Sequence, residues 1–307
     1  MAAFSPEIPK LERSGYRVVG ESGHSAVKVC HWTKKSLLGE GACYKEQFYT
    51  SELGIKSHRC LQLTPSLPFC DHRCVFCWRN TDMTMPSWSG GADDPAEILD
   101  GAISAQRLLL SGFGGNPAVD KQKFKEAQNP KQCAISLAGE PTIYPKINEM
   151  IMECEKRRMT SFLVTNGQHP EVLEKIVEPT QIYISLVAPD EATYERTCRP
   201  VAGGWEKLNR SLELMPSFSC RKAVRLTLAK GLNMENPAGY AKLVEKTGCD
   251  FLEVKGYIWV GFSRKRLKME NMPLHQEVMA FAEKLAGEVG YRMANDSEPS
   301  RVALLKR

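Results

Sequence analysis

The chain has 307 residues, of which 42% are hydrophobic and 25% charged, and its formal net charge is +5. This composition is typical of a soluble globular protein, and no apolar run reaches the roughly 20 residues that a membrane-spanning helix needs. Residues 1–20 contain no signal-peptide core, so we expect no membrane partner and a cytoplasmic location. The length favours one barrel-sized domain, and the mild positive charge permits a nucleic-acid partner without requiring one.

The eleven cysteines are many for a cytoplasmic chain, and their odd number argues against a simple set of disulfides. Metal or cluster chemistry is the better interpretation.

The N-terminal part predicts a short element at residues 16–19 and then a first cysteine set, Cys30, Cys43 and Cys60, with the spacing C-x12-C-x16-C. This spacing alone fits buried core cysteines as well as metal ligands. A second cysteine-rich segment follows at once, and it favours a metal site here.

That segment is the loop Cys70-Asp71-His72-Arg73-Cys74-Val75-Phe76-Cys77, which follows a predicted strand at residues 61–64. Three thiolates at C-x3-C-x2-C can hold a [4Fe–4S] cluster and leave one iron open for another ligand. A structural zinc site would need a fourth ligand, and His72 is too close within the loop to be an obvious one. Three idle thiols are the remaining alternative.

Strands and helices alternate after residue 93. A helix is predicted to begin at Asp93-Asp94-Pro95, and apolar strands are predicted at residues 133–137, 162–165, 182–186, 224–228 and 251–254. With residues 61–64 these make six strands of a parallel sheet buried on both faces, which predicts an α/β partial (β/α)6 TIM-like barrel. Ligands of such barrels bind at the carboxyl ends of the strands, where the cluster loop, Gly139, Glu140, Asn166 and Ser185 fall.

The pattern changes beyond residue 255, where an aromatic and apolar stretch precedes the basic run at residues 263–268. Arg264, Lys265 and Arg266 are candidate contacts to RNA phosphates, and a solvated surface loop is the alternative. A helix at residues 273–285 and an apolar segment at residues 302–305 end the chain. We therefore predict an N-terminal extension (residues 1–60), a barrel (61–260) and a basic C-terminal extension (261–307).

The C-x3-C-x2-C spacing resembles the signature of radical S-adenosylmethionine enzymes, in which the residue at Phe76 packs near adenine. Both cysteine sets together, with the segments CYKEQFY, CVFCWR, SLAGEPT, TNGQ, EVKGY and FSRKR, resemble the tRNA 4-demethylwyosine synthase family. Without a flavodoxin-like domain the chain looks like the stand-alone archaeal form.

The resemblance implies a reaction that joins two carbons of pyruvate to N1-methylguanosine next to the anticodon of tRNA-Phe. It implies two [4Fe–4S] clusters, one on Cys70, Cys74 and Cys77 and one on the first cysteine set, together with S-adenosylmethionine and an electron donor of flavodoxin or ferredoxin type. Phe76, Gly139, Glu140, Asn166 and Ser185 would contact S-adenosylmethionine, and Lys45 would form a Schiff base with pyruvate. We expect a monomer.

Two other functions remain open at this point. One is a radical S-adenosylmethionine enzyme with an auxiliary cluster that acts on a peptide or a small molecule. The other is a zinc-bearing RNA-binding module, which would leave the barrel pattern without a purpose. How pyruvate is activated, by Lys45, by iron or by both, is also open.

Overall fold

The computed structural model describes residues 8–201 and 204–307. The described residues divide into two compact units, one formed by those up to residue 69 and by residues 87–163, and the other by residues 70–86 and by those from residue 164 onwards. The first seven residues of the predicted N-terminal extension lie outside the described residues. In the described part of the chain no helix is both long and apolar enough to cross a membrane.

The first unit carries one half of the predicted strands. Its elements are α1 (Ile8–Arg13), β1 (Tyr16–Val19), β2 (Ser25–Lys28), α2 (His31–Leu37), α3 (Tyr44–Leu53), β3 (Cys60–Thr64), α4 (Pro95–Leu110), α5 (Lys121–Ala127), β4 (Gln132–Ile135), α6 (Ile147–Lys156) and β5 (Thr160–Thr165). Strands β3, β4 and β5 are parallel, whereas β1 and β2 extend the sheet beside β3 as an antiparallel pair. The boundary between the two units falls within β5.

Local sequence explains these elements. All four residues of β4 are buried, as expected for a parallel strand covered on both faces. Helix α4 begins where Asp94 predicts, because its side chain accepts a hydrogen bond from the Ala96 backbone at 2.8 Å and Pro95 occupies the first turn. Its buried face includes Ile98 and Leu99.

The second unit begins with the cluster loop, which we define as residues 70–86. Its later elements are α7 (Pro170–Leu173), β6 (Gln181–Ser185), α8 (Glu191–Cys198), α9 (Gly204–Leu214), β7 (Arg221–Leu228), α10 (Pro237–Glu245), β8 (Phe251–Gly256), α11 (His275–Val289), β9 (Arg292–Ser297) and β10 (Val302–Lys306). Strands β6, β7 and β8 are parallel. Strand β10 pairs antiparallel with β8, and β9 pairs antiparallel with β10.

The six parallel strands predicted from the alternating pattern are all present, three in each unit. The prediction missed two strands, β2 and β9, and five helices, α1, α2, α3, α5 and α8. Strand β9 has the sequence RMANDS, and its last residue is the one buried residue, so it lacks the apolar run that marks a buried strand. The apolar segment at residues 302–305 is the inner strand β10, which covers one side of β8.

Candidate active site

The cluster loop carries Cys70, Cys74 and Cys77, all half-buried and without disulfides. The backbone N–H of Cys70 donates to the Met85 carbonyl at 2.9 Å, and that of Cys77 donates to the Cys74 carbonyl at 3.1 Å. The loop therefore turns back on itself around the last two cysteines. Its three thiols fit the three protein ligands of a [4Fe–4S] cluster.

The first half of this loop runs beside the end of α8. The backbone N–H of Arg73 donates to the Cys198 carbonyl at 3.0 Å, and that of Val75 donates to the Thr197 carbonyl at 2.9 Å. Cys198, which is buried, thereby comes close to Cys74, and these two sulfur atoms and a ring nitrogen of His72 lie within 4.8 Å of one another. A hydrogen bond with Cys198, together with burial, raises the pKa of the Cys74 thiol. Sequence reasoning missed Cys198, whose spacing links it to neither set.

Asp71 ties the loop to the segment after β5. The amide of Asn166 donates to the Asp71 carboxylate at 2.7 Å, and His169 Nε2 lies 3.0 Å from the other carboxylate oxygen. Burial alone would raise the pKa of Asp71, but the hydrogen bond from His169, the charges of His72 and His169 and the Asn166 amide outweigh it, so the pKa is lowered. The Asn166 amide also lies 4.0 Å from Cys70 Sγ. Asn166, predicted to contact S-adenosylmethionine, thus contacts the cluster loop itself.

A second polar chain reaches His72. Gln168 Nε2 donates to the Tyr194 hydroxyl at 2.8 Å, and that hydroxyl lies 2.8 Å from His72 Nε2. All three side chains are buried. Because buried hydrogen-bonded networks fix side-chain orientation, His72 has one defined position beside Cys74.

Arg266 holds the middle of the loop. Its guanidinium donates to the carbonyl of Val75 at 3.1 Å, to that of Arg79 at 3.3 Å and, most closely, to that of Cys77. Two of these carbonyls, those of Val75 and Cys77, belong to the neighbours of Phe76 in the chain, and the Phe76 side chain is half-buried. Arg266 was predicted to contact RNA, and that assignment stays a prediction; its position in the structure makes it an anchor of the cluster loop.

Gly139 and Glu140 lie in the first unit, after β4. Gly139 has φ +72°, and a Cβ there would collide with the backbone carbonyl of Ser66, so this position requires glycine. Glu140 is buried, and one of its carboxylate oxygens accepts hydrogen bonds from the Thr142 hydroxyl at 2.7 Å and backbone at 3.1 Å. Its own N–H donates to the Phe69 carbonyl at 2.7 Å, directly before Cys70 in the chain. Ser185, the last predicted contact, is the half-buried final residue of β6.

The first cysteine set comes together in the first unit. Cys30 and Cys43 are the N-cap residues of α2 and α3, and Cys60 is the first residue of β3. Burial raises the pKa of the Cys60 thiol, the thiols of Cys30 and Cys43 raise it further, and the Lys45 ammonium lowers it. The three cysteines span residues 30–60 of the chain, yet the fold brings Cys30, Cys43 and Lys45 near enough to Cys60 to affect the pKa of its thiol.

Lys45 is half-buried in the first turn of α3. Its ammonium lies 4.5 Å from the centre of the Phe162 ring, which is buried in β5. The neighbouring Glu46 carboxylate accepts two hydrogen bonds from Ser57, from the backbone at 2.7 Å and from the hydroxyl at 2.5 Å. Lys45 therefore faces the interior of the first unit, as a residue of a buried site would.

Ser57 links the segments that carry this set. Its hydroxyl oxygen accepts a hydrogen bond from the Cys43 N–H at 2.7 Å and donates to Glu46, and its carbonyl accepts one from the Thr33 hydroxyl at 2.9 Å. Residues from α2, from α3 and from the turn before Cys60 are thus joined through one buried serine. Sequence reasoning missed Ser57, because a lone serine carries no signal of such contacts.

The basic run forms an aromatic and basic surface, which we define as Trp259, Phe262, Arg264 and Lys265. The guanidinium of Arg264 lies 4.3 Å from the Trp259 ring centre, and the Lys265 ammonium lies 5.1 Å from that of Phe262. Phe262 is 39% exposed, and its backbone N–H donates to the Trp78 carbonyl at 2.9 Å. The surface is therefore fastened next to Cys77.

Comparison with known proteins decides the family. A model of the radical S-adenosylmethionine superfamily matches residues 64–244, and a model of wyosine base formation matches residues 246–307. The S-adenosyl-L-methionine-dependent tRNA 4-demethylwyosine synthase of Pyrococcus horikoshii is 48% identical over 99% of this chain and 90% of that protein. The chain belongs to the tRNA 4-demethylwyosine synthase family.

Solved structures of this family agree with the fold. TYW1 with a lysine–pyruvate adduct bound is 38% identical, with a TM-score of 0.86, over 98% of this chain and 95% of that one. Archaeal TYW1 is 33% identical, with a TM-score of 0.79, over the same shares. The α/β fold with its parallel strands is thus the partial TIM-like barrel that the sequence predicted. As a member of this family, the chain is a radical S-adenosylmethionine enzyme of wyosine base formation in tRNA, with an iron–sulfur cluster and S-adenosylmethionine as cofactors.

Proposed function

We propose that this chain condenses two carbons of pyruvate with N1-methylguanosine next to the anticodon of tRNA-Phe and so forms 4-demethylwyosine. The observation that carries the proposal is the position of Lys45: its side chain is half-buried, and its ammonium lies 4.5 Å from the centre of the Phe162 ring. A related structure, 38% identical, carries a lysine–pyruvate adduct. Lys45 lies two residues after Cys43, and its charge lowers the pKa of the Cys60 thiol.

Two [4Fe–4S] clusters are proposed, one on Cys70, Cys74 and Cys77 and one on Cys30, Cys43 and Cys60. When bound, the first cluster and S-adenosylmethionine would supply the radical chemistry that activates the N1-methyl group of the guanosine. The chain's part is to hold the loop cysteines in place through Asp71 and Arg266 and to leave one coordination position open at each site.

Phe76, Gly139, Glu140, Asn166 and Ser185 are proposed contacts of S-adenosylmethionine. Gly139 contributes by letting its backbone pack against the Ser66 carbonyl, which shapes the turn before Glu140. Glu140 and Asn166 contribute polar groups whose orientation is fixed by hydrogen bonds within the protein. Phe76 offers an apolar surface to adenine.

Lys45 is proposed to activate pyruvate. Its neutral amine attacks the ketone carbon, and loss of water gives an imine whose nitrogen withdraws electrons from the neighbouring methyl carbon. The Phe162 ring limits the positions of the Lys45 amine and excludes water from one side of it. The amine must lose its proton before it can attack the ketone.

The aromatic and basic surface is proposed to bind tRNA. Exposed aromatic rings stack on unpaired bases, and cations beside them contact phosphates. Arg264 and Lys265 supply the cations, and a minor share is proposed for Arg266, whose guanidinium also holds the cluster loop. The surface adjoins Trp78, so a bound anticodon loop would lie near Cys77.

We also propose that the chain is a cytoplasmic monomer that receives electrons from a flavodoxin-type or ferredoxin-type donor. We propose three regions for it: an N-terminal extension (residues 1–60), a barrel (61–260) and a C-terminal extension (261–307).

The proposed function is tested by anaerobic turnover of tRNA that contains N1-methylguanosine, with labelled pyruvate and mass analysis of the nucleosides. Lys45→Arg should abolish the tricyclic base and the borohydride-stable pyruvate adduct on the protein, yet retain 5′-deoxyadenosine formation. Lys56→Arg, which alters an exposed lysine nearby, is the matched control and should behave as the parent. A parent protein that transforms a peptide or small molecule and not this tRNA would refute the proposal.

A further inference from the structure

A cleft of about 480 Å³ lies against the cluster loop, within the second unit. Its lining includes three arginines, Arg73, Arg199 and Arg266, against one carboxylate, Asp82. In the described part of the chain no ion pair joins any of these arginines to a carboxylate, and Arg73 and Arg199 are exposed. The cleft therefore presents an uncompensated positive charge that suits an anionic partner.

The cleft adjoins the ligands of the first proposed cluster. Arg73 directly precedes Cys74 in the chain, and its N–H donates to the carbonyls of Cys198 and Arg199 at 3.0 and 3.3 Å. Arg266 donates from the cleft to the Cys77 carbonyl. A partner bound to these arginines would therefore lie close to two of the proposed cluster ligands, Cys74 and Cys77.

The lining of this cleft differs from the aromatic and basic surface. The latter has Trp259 and Phe262 beside its cations, as surfaces that bind unpaired bases do. The residues that line the cleft include no aromatic side chain, and Pro200 and Val201 supply its apolar part. Small, charged and weakly apolar contact areas are typical of transient electron-transfer complexes, in which charge complementarity sets the association rate.

We infer that the arginine cleft is the docking site of an acidic one-electron carrier protein, which delivers the electron for S-adenosylmethionine cleavage to the cluster on Cys70, Cys74 and Cys77. The inference rests on the proposed function, because that chemistry needs one external electron for each radical formed. The carrier is oxidised by one electron, and the cluster is reduced by one. Carboxylates at the rim of the carrier's own redox centre would pair with Arg73 and Arg199.

The test uses the anaerobically reconstituted full chain and a recombinant flavodoxin reduced to its hydroquinone. Arg199→Glu reverses one charge of the cleft, Arg73→Gln removes one, and Arg264→Glu and the exposed Arg292→Glu serve as controls. Four readouts are compared: binding of the oxidised flavodoxin at low and high salt, the rate of cluster reduction by flavodoxin, the rate with dithionite, and binding of tRNA.

We expect Arg199→Glu to slow reduction by flavodoxin about tenfold at low salt, with a smaller effect at high salt, and to weaken flavodoxin binding in parallel. Arg73→Gln should act in the same direction but less. Dithionite, a small molecule that needs no docking site, should reduce all variants at the parent rate. Arg264→Glu should weaken tRNA binding alone, and Arg292→Glu should change nothing.

Two results would overturn the inference. One is flavodoxin binding and reduction that Arg199→Glu leaves unchanged; the other is a loss of tRNA binding in Arg199→Glu as large as in Arg264→Glu, which would assign the cleft to RNA. A failure of the proposed function is distinguishable from both, since the parent would then make no tricyclic base even with dithionite.

Discussion

Arg266 and Cys77, which are 189 residues apart in the chain, are joined by a hydrogen bond from the guanidinium to the Cys77 carbonyl. The same side chain reaches the carbonyls of Val75 and Arg79. Arg266 thus fixes the loop that carries Cys70, Cys74 and Cys77, and its mutation should act on the cluster proposed there.

Arg266→Ala should lower the iron retained by the first cluster severalfold. Each charge-assisted hydrogen bond contributes roughly 1.5–3 kcal/mol, and three of them hold the carbonyls of Val75, Cys77 and Arg79 in place. Iron content and 5′-deoxyadenosine formation measure the effect. Lys265→Ala, an exposed neighbour, is the control, and equal iron in both variants would contradict the role of Arg266 as an anchor.

Ser57→Ala should destabilise the second cluster and spare the first. The hydroxyl joins the Cys43 N–H to the Glu46 carboxylate, and its loss removes this acceptor from the half-buried Cys43 N–H, at a cost of about 1–3 kcal/mol. Glu46 keeps its hydrogen bond from the Ser57 backbone N–H. We expect partial iron loss, with 5′-deoxyadenosine formation retained and tricycle formation reduced. Ser217→Ala removes an exposed serine hydroxyl and should have no effect.

The fold was more predictable than the site. Strand β4 and its parallel neighbours are short apolar runs, and burial on both faces leaves that pattern in the sequence. The polar strand β9 leaves no such pattern, since it pairs on only one side.

The two cysteine sets could be found because ligand spacing within a loop is a local property. The supporting contacts of Ser57, Cys198 and Arg266 could not, since their partners lie 14 to 189 residues away and only the folded chain brings them together. A basic run in the sequence also does not tell which of its cations turns inward, as Arg266 does.

Gly139→Ala should disturb the turn before Glu140. An added Cβ would meet the Ser66 carbonyl at a backbone conformation of φ +72°, so we expect roughly 2–4 kcal/mol of destabilisation and weaker S-adenosylmethionine binding. Chemical denaturation and equilibrium dialysis measure the two effects. Gly112→Ala, where a Cβ meets open space, is the matched control; if both variants bind alike, close packing at Gly139 has no functional role.

The stability of the first unit should depend on pH through His24. This histidine is fully buried, its Nδ1 lies 2.7 Å from the Pro65 carbonyl, and its Nε2 accepts the Asp93 N–H at 3.0 Å. Burial lowers the pKa of His24 below the ordinary value of 6.5, despite opposing contributions from Pro65 and Asp93.

The unfolded chain therefore binds this proton more readily than the folded one. The contribution of His24 is complete above about pH 6.5 and is lost as the pH falls towards the lowered pKa of the folded state. Denaturation midpoints at about pH 8 and about pH 5 should differ less in His24→Asn than in the parent. An identical pH dependence in both would contradict this assignment.

The central claim is that two separate cysteine triads each hold an iron–sulfur cluster, and iron and sulfide content per chain tests it most directly. We predict about eight irons in the anaerobically reconstituted parent and about four in the Cys70/Cys74/Cys77 triple-Ala variant and in the Cys30/Cys43/Cys60 triple-Ala variant. Cys198→Ser, which alters the thiol beside Cys74, should keep about eight. About four irons in the parent and none in the first variant would contradict the claim and leave Cys30, Cys43 and Cys60 as structural residues.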